Sequence, residues 1–183
     1  WVEEKDKEKE KEKNLLGGGV GVETPEPPHN LANVLYNDSY YTMIDHCARG
    51  LGRHMTEEGF KNNIIENERF VYVRDGETGR YFSIPWLPVC EEFQSWRATA
   101  EVGSQVIENV TGDLKAVWRI FVPTGKDPVE IWNLEITDLA GRPRRVSLFT
   151  WVSMKCDGLD LYSGEMFLIA RYLPELQSIF VRM

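Results

Sequence analysis

Trp96 beside Arg97, and Trp86 in the run SIPWLPV, are the residues whose types best fit recognition of a small molecule. A pyranose ring stacks its apolar face on an aromatic one while planar polar groups take its hydroxyls, so an indole next to a guanidinium is a sugar-binding element. Trp86, Trp96 and Arg97 are therefore the candidate substrate-binding residues. The competing role of a tryptophan in a β-rich chain is packing, and Trp118, Trp132 and Trp151 are expected in the core.

Other reactive side chains do not converge. His29, His46 and His54 are too few and too scattered for a metal centre, and His46 beside Cys47 would point to the opposite face of a strand. Glu91 and Glu92 offer carboxylates, but glycosidase chemistry needs two carboxyl groups flanking one bond, and adjacent acids after a Pro-Val-Cys turn read as solvated. No GxSxG marks a serine nucleophile. The stretch GGGVGVETP lacks both the third glycine of a dinucleotide site and the lysine of a P-loop, and it runs into prolines instead of a helix. Cys47, Cys90 and Cys156 are odd in number and far apart, which fits reduced structural thiols better than a disulfide framework. No catalytic residue, metal or cofactor is expected in this chain.

The elements that position these residues follow from length and pattern. With 183 residues, at about 150 per domain, the chain makes one domain and a tail. A 42% hydrophobic content with six Trp, eight Phe and seven Tyr supplies one core. The formal charge of -8 disfavours tracking of phosphates, so no nucleic-acid partner is expected. No apolar run is long enough for a membrane helix. The opening WVEEKDKEKEKEK has neither the basic start nor the apolar stretch of a secretory signal, so a cytoplasmic setting is expected and the sequons at Asn37 and Asn109 are read as chance.

Residues 1–28 read as a charged, Gly/Pro-rich tail and linker, disordered in its charged part, and residues 29–183 as the folded domain. From about Tyr40 the chain turns to short segments rich in β-branched and aromatic residues. These are RFVYVR, YFSI, FQSWRATAE, SQVIENV, LKAVWRIFVP, VEIWNLEIT, RRVSLFTWVSM, EMFLIARYL and QSIFVRM. Turn signals separate them at Asp75-Gly76, Thr111-Gly112-Asp113, Thr124-Gly125, Ala140-Gly141 and Asp157-Gly158. In VEIWNLEIT, Trp132, Leu134 and Ile136 share one face against Asn133, Glu135 and Thr137, which predicts a strand with one wet face. In RRVSLFTWVSM both faces are apolar, which predicts a central strand between layers. The fold class is all-β, an antiparallel sandwich.

The runs RFVYVRDGETGRYFSIPWLPV (69–89) and VWRIFVPTGKDPVEIWNLEITDLAGRPRRVSLFTWV (117–152) resemble, in motif order and spacing, the amino-terminal domain of glycoside hydrolase family 94, the cellobiose, cellodextrin and chitobiose phosphorylases. The resemblance covers roughly residues 35–183 and implies a β-supersandwich, incomplete here, that precedes a catalytic (α/α)6 barrel. It implies inverting phosphorolysis of a β-linked glucoside: inorganic phosphate, the co-substrate, attacks the anomeric carbon, and an Asp of the barrel protonates the leaving sugar. The implied partners are a carbohydrate, the barrel of the same parent chain and a second subunit in a homodimer. Ala98, Thr99, Ala100, Glu101 and Val102 stand where family members carry a His-Gly-x-Gly-Tyr element, which leaves the sugar open. The alternative is a free-standing carbohydrate-binding or protein-interaction sandwich, because shared architecture alone does not fix function.

Overall fold

Alternating apolar and polar residues dominate residues 95–138, and the computed structural model lays them out as successive hairpins. The structure describes residues 19–57, 61–154 and 169–182. In chain order the strands are β1 (Gly19–Val22), β2 (Ala32–Tyr36), β3 (Tyr40–Asp45), β4 (Gly50–Met55), β5 (Lys61–Asp75), β6 (Tyr81–Ser83), β7 (Ser95–Glu101), β8 (Ser104–Thr111), β9 (Leu114–Phe121), β10 (Ile131–Asp138), β11 (Val146–Met154), β12 (Ile169–Leu173) and β13 (Ser178–Arg182). One sheet has the order β1-β7-β8-β9-β10 and a second the order β11-β5-β4-β3-β2, with β6 alongside β5; β12 and β13 form a hairpin of their own. All pairings among the described strands are antiparallel.

The two larger sheets face each other across one core. Trp96, Ala98, Ile107, Ala116, Trp118 and Ile120 of the first sheet meet Leu35, Tyr40, Ile44, Val71 and Val73 of the second. Period-two alternation explains this sorting, since every one of these residues shares a face with its cross-strand partner. In β10 the expected one-sided burial holds, with Trp132, Leu134 and Ile136 partly buried and Asn133, Glu135 and Thr137 exposed.

Several expectations are corrected. The Gly-rich stretch is a strand from Gly19 on, because without side chains β1 lies close on β7: a Cβ at Gly19 would come within 2.8 Å of Thr99 Cγ2. The chain before it, 1–18, and Cys156 lie outside the described residues. Residues 40–55 form the hairpin of β3 and β4. The turn expected at Asp75-Gly76 is an Asx turn, with the Glu77 amide donating to Asp75 Oδ1 at 2.9 Å, and Gly76 serves it by close approach: its amide donates to Arg145 O at 2.7 Å and a Cβ would come within 2.8 Å of that oxygen. Finally, among the described strands β11 is not central. It borders the second sheet, and Leu148, Phe149 and Trp151 are 45%, 54% and 54% exposed. Two apolar faces signalled two-sided burial, but the described residues cover neither fully.

Candidate functional site

Strand β7 sends Trp96 inward and Arg97 outward, as alternation requires. Arg97 stands on the outer face opposite Glu108, whose carboxylate pairs with Lys115 at 3.0 Å. The Arg97 guanidinium lies over Gly21 of β1, where a Cβ would meet Nε and Nη2 at 3.4 Å. It makes no ion pair with a described residue, so its donors are available. A depression of about 540 Å³ lies here, lined by Glu23, Phe93, Gln94, Arg97 and Lys115 among others. Arg97 and Glu23 also border a groove of about 1260 Å³ between the edges of β1 and β2, where Asn33, Tyr36 and Glu101 are exposed or half-exposed.

These groups can bind hydroxyls and anions. Protonating a leaving group needs a carboxyl with a raised pKa. The described carboxyls with a resolved shift move the other way. Asp75 lies below the usual range because the Glu77 amide and the Thr78 hydroxyl bond to it, helped by Arg144. Glu101 is also lowered: burial raises it, but the Ser104 hydroxyl and Arg119 outweigh that.

The three sequence candidates are not brought together. Trp96 is 3% exposed and packs edge-on against His46 with ring centroids 6.2 Å apart, so it offers no face to a sugar. Alternation alone predicts that adjacent strand residues part, which separates Trp96 from Arg97. Trp86 lies in the loop between β6 and β7, half-buried against the core, with φ at 75°. Its amide donates to Ser83 O at 3.0 Å, and its carbonyl accepts from Ser83 Oγ at 2.6 Å and from the Cys90 amide at 2.8 Å. Asn109 Nδ2 ties the same loop to the first sheet through Ser83 O and Ile84 O, both at 3.2 Å.

The remaining sequence features resolve into structure. Glu91 pairs with Arg80 on the surface. His46 and Cys47 lie in the turn after β3, not on a strand, so they do not diverge: His46 Nε2 is 3.1 Å and Cys47 Sγ 3.7 Å from the same carbonyl, Pro25 O. Burial pushes the Cys47 thiol up to about 12, with Asp45 adding to it. Among the described residues no group of three or more His, Cys, Asp or Glu can hold a metal ion. The Asn37 amide is spent on Pro123 O and Asp127 O at 2.9 and 2.8 Å, and Asn109 is buried.

A buried ion pair escaped the sequence reading. Arg69, on the same face of β5 as Val71 and Val73, is fully buried and binds Glu130 through Nε and Nη2. Glu130 also accepts from Tyr40 Oη at 3.1 Å and Trp132 Nε1 at 2.7 Å, and Arg69 Nη2 donates to Thr42 Oγ1 at 2.8 Å. The signal was present: in RFVYVR, period two puts an arginine on an apolar face, where it demands a buried carboxylate. At one end of the sandwich Arg144 similarly stands 3.2–3.7 Å from Asp75, Asp113 and Asp138.

Comparison with known proteins decides the family. The sequence model of the glycosyl hydrolase 94 supersandwich domain matches residues 20–178. The chain belongs to this family. The family 94 chain is 28% identical to the solabiose phosphorylase of Paenibacillus borealis over 152 residues, 78% of this chain and 19% of that one. It is 29% identical to the 3-O-beta-D-glucopyranosyl-beta-D-glucuronide phosphorylase of the same organism, covering 75% and 18%. With the N,N'-diacetylchitobiose phosphorylase of Vibrio furnissii it shares 28% identity, covering 72% and 17%. The family 94 chain thus spans about a fifth of the length of these curated relatives. Among its described residues no helix is long and apolar enough to cross a membrane.

Proposed function

We propose that this chain is the amino-terminal, non-catalytic part of an inverting sugar phosphorylase acting on β-linked glucosides. The observation that carries the reading is the family match over residues 20–178 combined with coverage of 19% or less of each relative named above. In this reading inorganic phosphate is the co-substrate of the parent enzyme, the catalytic barrel of the same chain holds the general acid, and the parent works as a cytoplasmic homodimer. The sandwich supports the barrel and shapes the mouth of its active site. Sugar contact falls to Arg97 and Trp86, because Trp96 is enclosed in the core.

The test compares two polypeptides in phosphate buffer, the 183-residue chain and one extended through its downstream reading frame. Release of sugar 1-phosphate from β-linked disaccharides is expected from the longer polypeptide alone. Turnover that copurifies with the short chain would sink the non-catalytic reading. A longer polypeptide that binds β-linked sugars and never phosphorolyses them would favour the alternative of a carbohydrate-binding module.

A further inference from the structure

We propose that residues 13–16 fold back across Gly17-Gly18, pair with the outer edge of β1 and fill the groove between β1 and β2. The segment lies outside the described residues and upstream of the family match, which begins at residue 20, so the pairing belongs to this chain and not to the shared domain. Backbone parity leads to it. The β7–β8 hairpin turns over two residues, Val102 and Gly103, with Glu101 opposite Ser104. A pair that flanks a two-residue turn exchanges both backbone bonds, and such pairs alternate along a strand. Glu101 and Thr99 therefore bond to β8, and Ala100 and Ala98 turn their N–H and C=O groups to β1. Their partners there are Val20 and Val22, so Gly19 and Gly21 direct their own groups away from β7. Among the described strands nothing pairs with that side.

Leu16-Gly17-Gly18-Gly19 has the composition and length of a two-residue hairpin turn, in which Leu16 and Gly19 form the bonded pair. That is the parity the edge requires. A three-residue turn would set Leu16 opposite Val20, whose backbone groups β7 already engages. In the two-residue register Leu15 stands opposite Val20 and Asn14 opposite Gly21. Val20 and Val22 share the core-facing side of β1, because their partners Ala100 and Ala98 share that side of β7 and Ala98 is fully buried. Val22 packs against the core, whereas Val20 is 58% exposed in the groove, which Leu31 and Val34 also line. Leu15 fills the space beside Val20. From Glu3 to Leu16 the two leucines are the apolar residues of a run otherwise charged or polar, so this is the stretch with a side chain to bury. On the outer face the glycines leave room for Leu16 and Asn14, and the Arg97 guanidinium already lies over Gly21. The side-chain carbonyl of Asn14 accepts from it. Arg97 then reaches a sugar only when the segment lifts, a consequence that rests on the functional reading above, although the pairing itself does not.

Amide hydrogen exchange followed by NMR compares the 183-residue chain with one that begins at Gly17. The Gly21 amide is expected to exchange about 10-fold or more slowly in the longer chain, at a rate independent of protein concentration. The Val22 amide, bonded to β7, is expected to be protected in both. Leu15→Asp is expected to abolish the difference at Gly21 and Leu16→Asp to keep most of it, because position 15 alone of the two faces the groove. A nuclear Overhauser contact between the Leu15 and Val20 methyl groups is expected alongside. Equal exchange at Gly21 in the two chains overturns the proposal. So does protection that grows with concentration, which assigns the groove to a second copy. Loss of protection in Leu16→Asp but not in Leu15→Asp overturns it too, by placing the other leucine inward. Phosphorolysis plays no part in these readouts, so failure here leaves the functional reading standing, and failure of that reading leaves the pairing.

Discussion

Arg69 Nε donates to Glu130 Oε1 at 2.7 Å between the two sheets, and both side chains are almost wholly withdrawn from water. Arg69 stands on β5 of the second sheet, whereas Glu130 immediately precedes β10 of the first, so the pair is a clamp across the core. The carboxylate accepts bonds from Arg69, Tyr40 and Trp132, which offset the desolvation of a buried charge.

Removing one partner strands the other charge. Glu130→Ala is expected to destabilise the chain by about 3–5 kcal/mol. Urea denaturation followed by far-UV circular dichroism measures it. A loss below about 1 kcal/mol would show that the sheets hold together without the clamp.

Space around the clamp is equally constrained. A Cβ on Gly52 would overlap Tyr40 Oη and lie 3.2 Å from Arg69 Nη2, so Gly52→Ala forces the network apart. The expected cost is about 1–3 kcal/mol, as for an overpacked core. An alanine variant as stable as the parent would mean that Tyr40 swings aside freely.

Acid should weaken the fold through Asp75. Its folded pKa lies below the unfolded value of about 3.9, so its contribution is fully present above that pH and is lost as pH falls through the folded value. Urea midpoints taken from neutral to strongly acid pH should fall less steeply for Asp75→Asn than for the parent. Parallel curves would assign the acid loss to other groups, Glu101 among them.

The two described cysteines should differ in reactivity. Cys47 is buried and its thiol is pushed up to about 12, whereas Cys90 is exposed. Iodoacetamide at neutral pH, mapped by peptide mass spectrometry, should modify Cys90 in the native chain at least about 100-fold faster than Cys47. Comparable rates would indicate that the turn at residues 46–48 opens readily.

Removal of residues 19–28 deletes β1 and the Pro25 carbonyl that meets His46. A fall in melting temperature of about 5 °C or more is expected relative to a chain that begins at Gly19. An unchanged value would return this segment to the linker role that its composition first indicated.

Pattern made the first sheet legible. β7, β8, β9 and β10 follow the apolar alternation and turn residues of FQSWRATAE, SQVIENV, LKAVWRIFVP and VEIWNLEIT closely. The second sheet was harder to read. β5 starts at Lys61, eight residues ahead of the legible RFVYVR, because NNIIENE carries polar residues through an irregular register that includes Asn67 at φ 72°. β1 was hidden by glycines, whose lack of side chains looks like flexibility in a sequence and here permits close strand approach. In the candidate site Arg97 points outward with no ion pair to a described residue, while Trp96 turns inward because strand parity outranks the adjacency that suggested a pair.

The register of β5 bears on the order in which this chain assembles. In the first sheet β7 through β10 each close against the next strand in sequence, so these contacts are local. The partner of Val73 on the far side of β5 is Leu148, about 75 residues later. Local hairpins form early and long closures late. As the chain leaves the ribosome, β5 must therefore wait with one flank open while the whole β7 to β10 meander is made. The step that joins β11 to it governs how long that flank is exposed to other nascent chains.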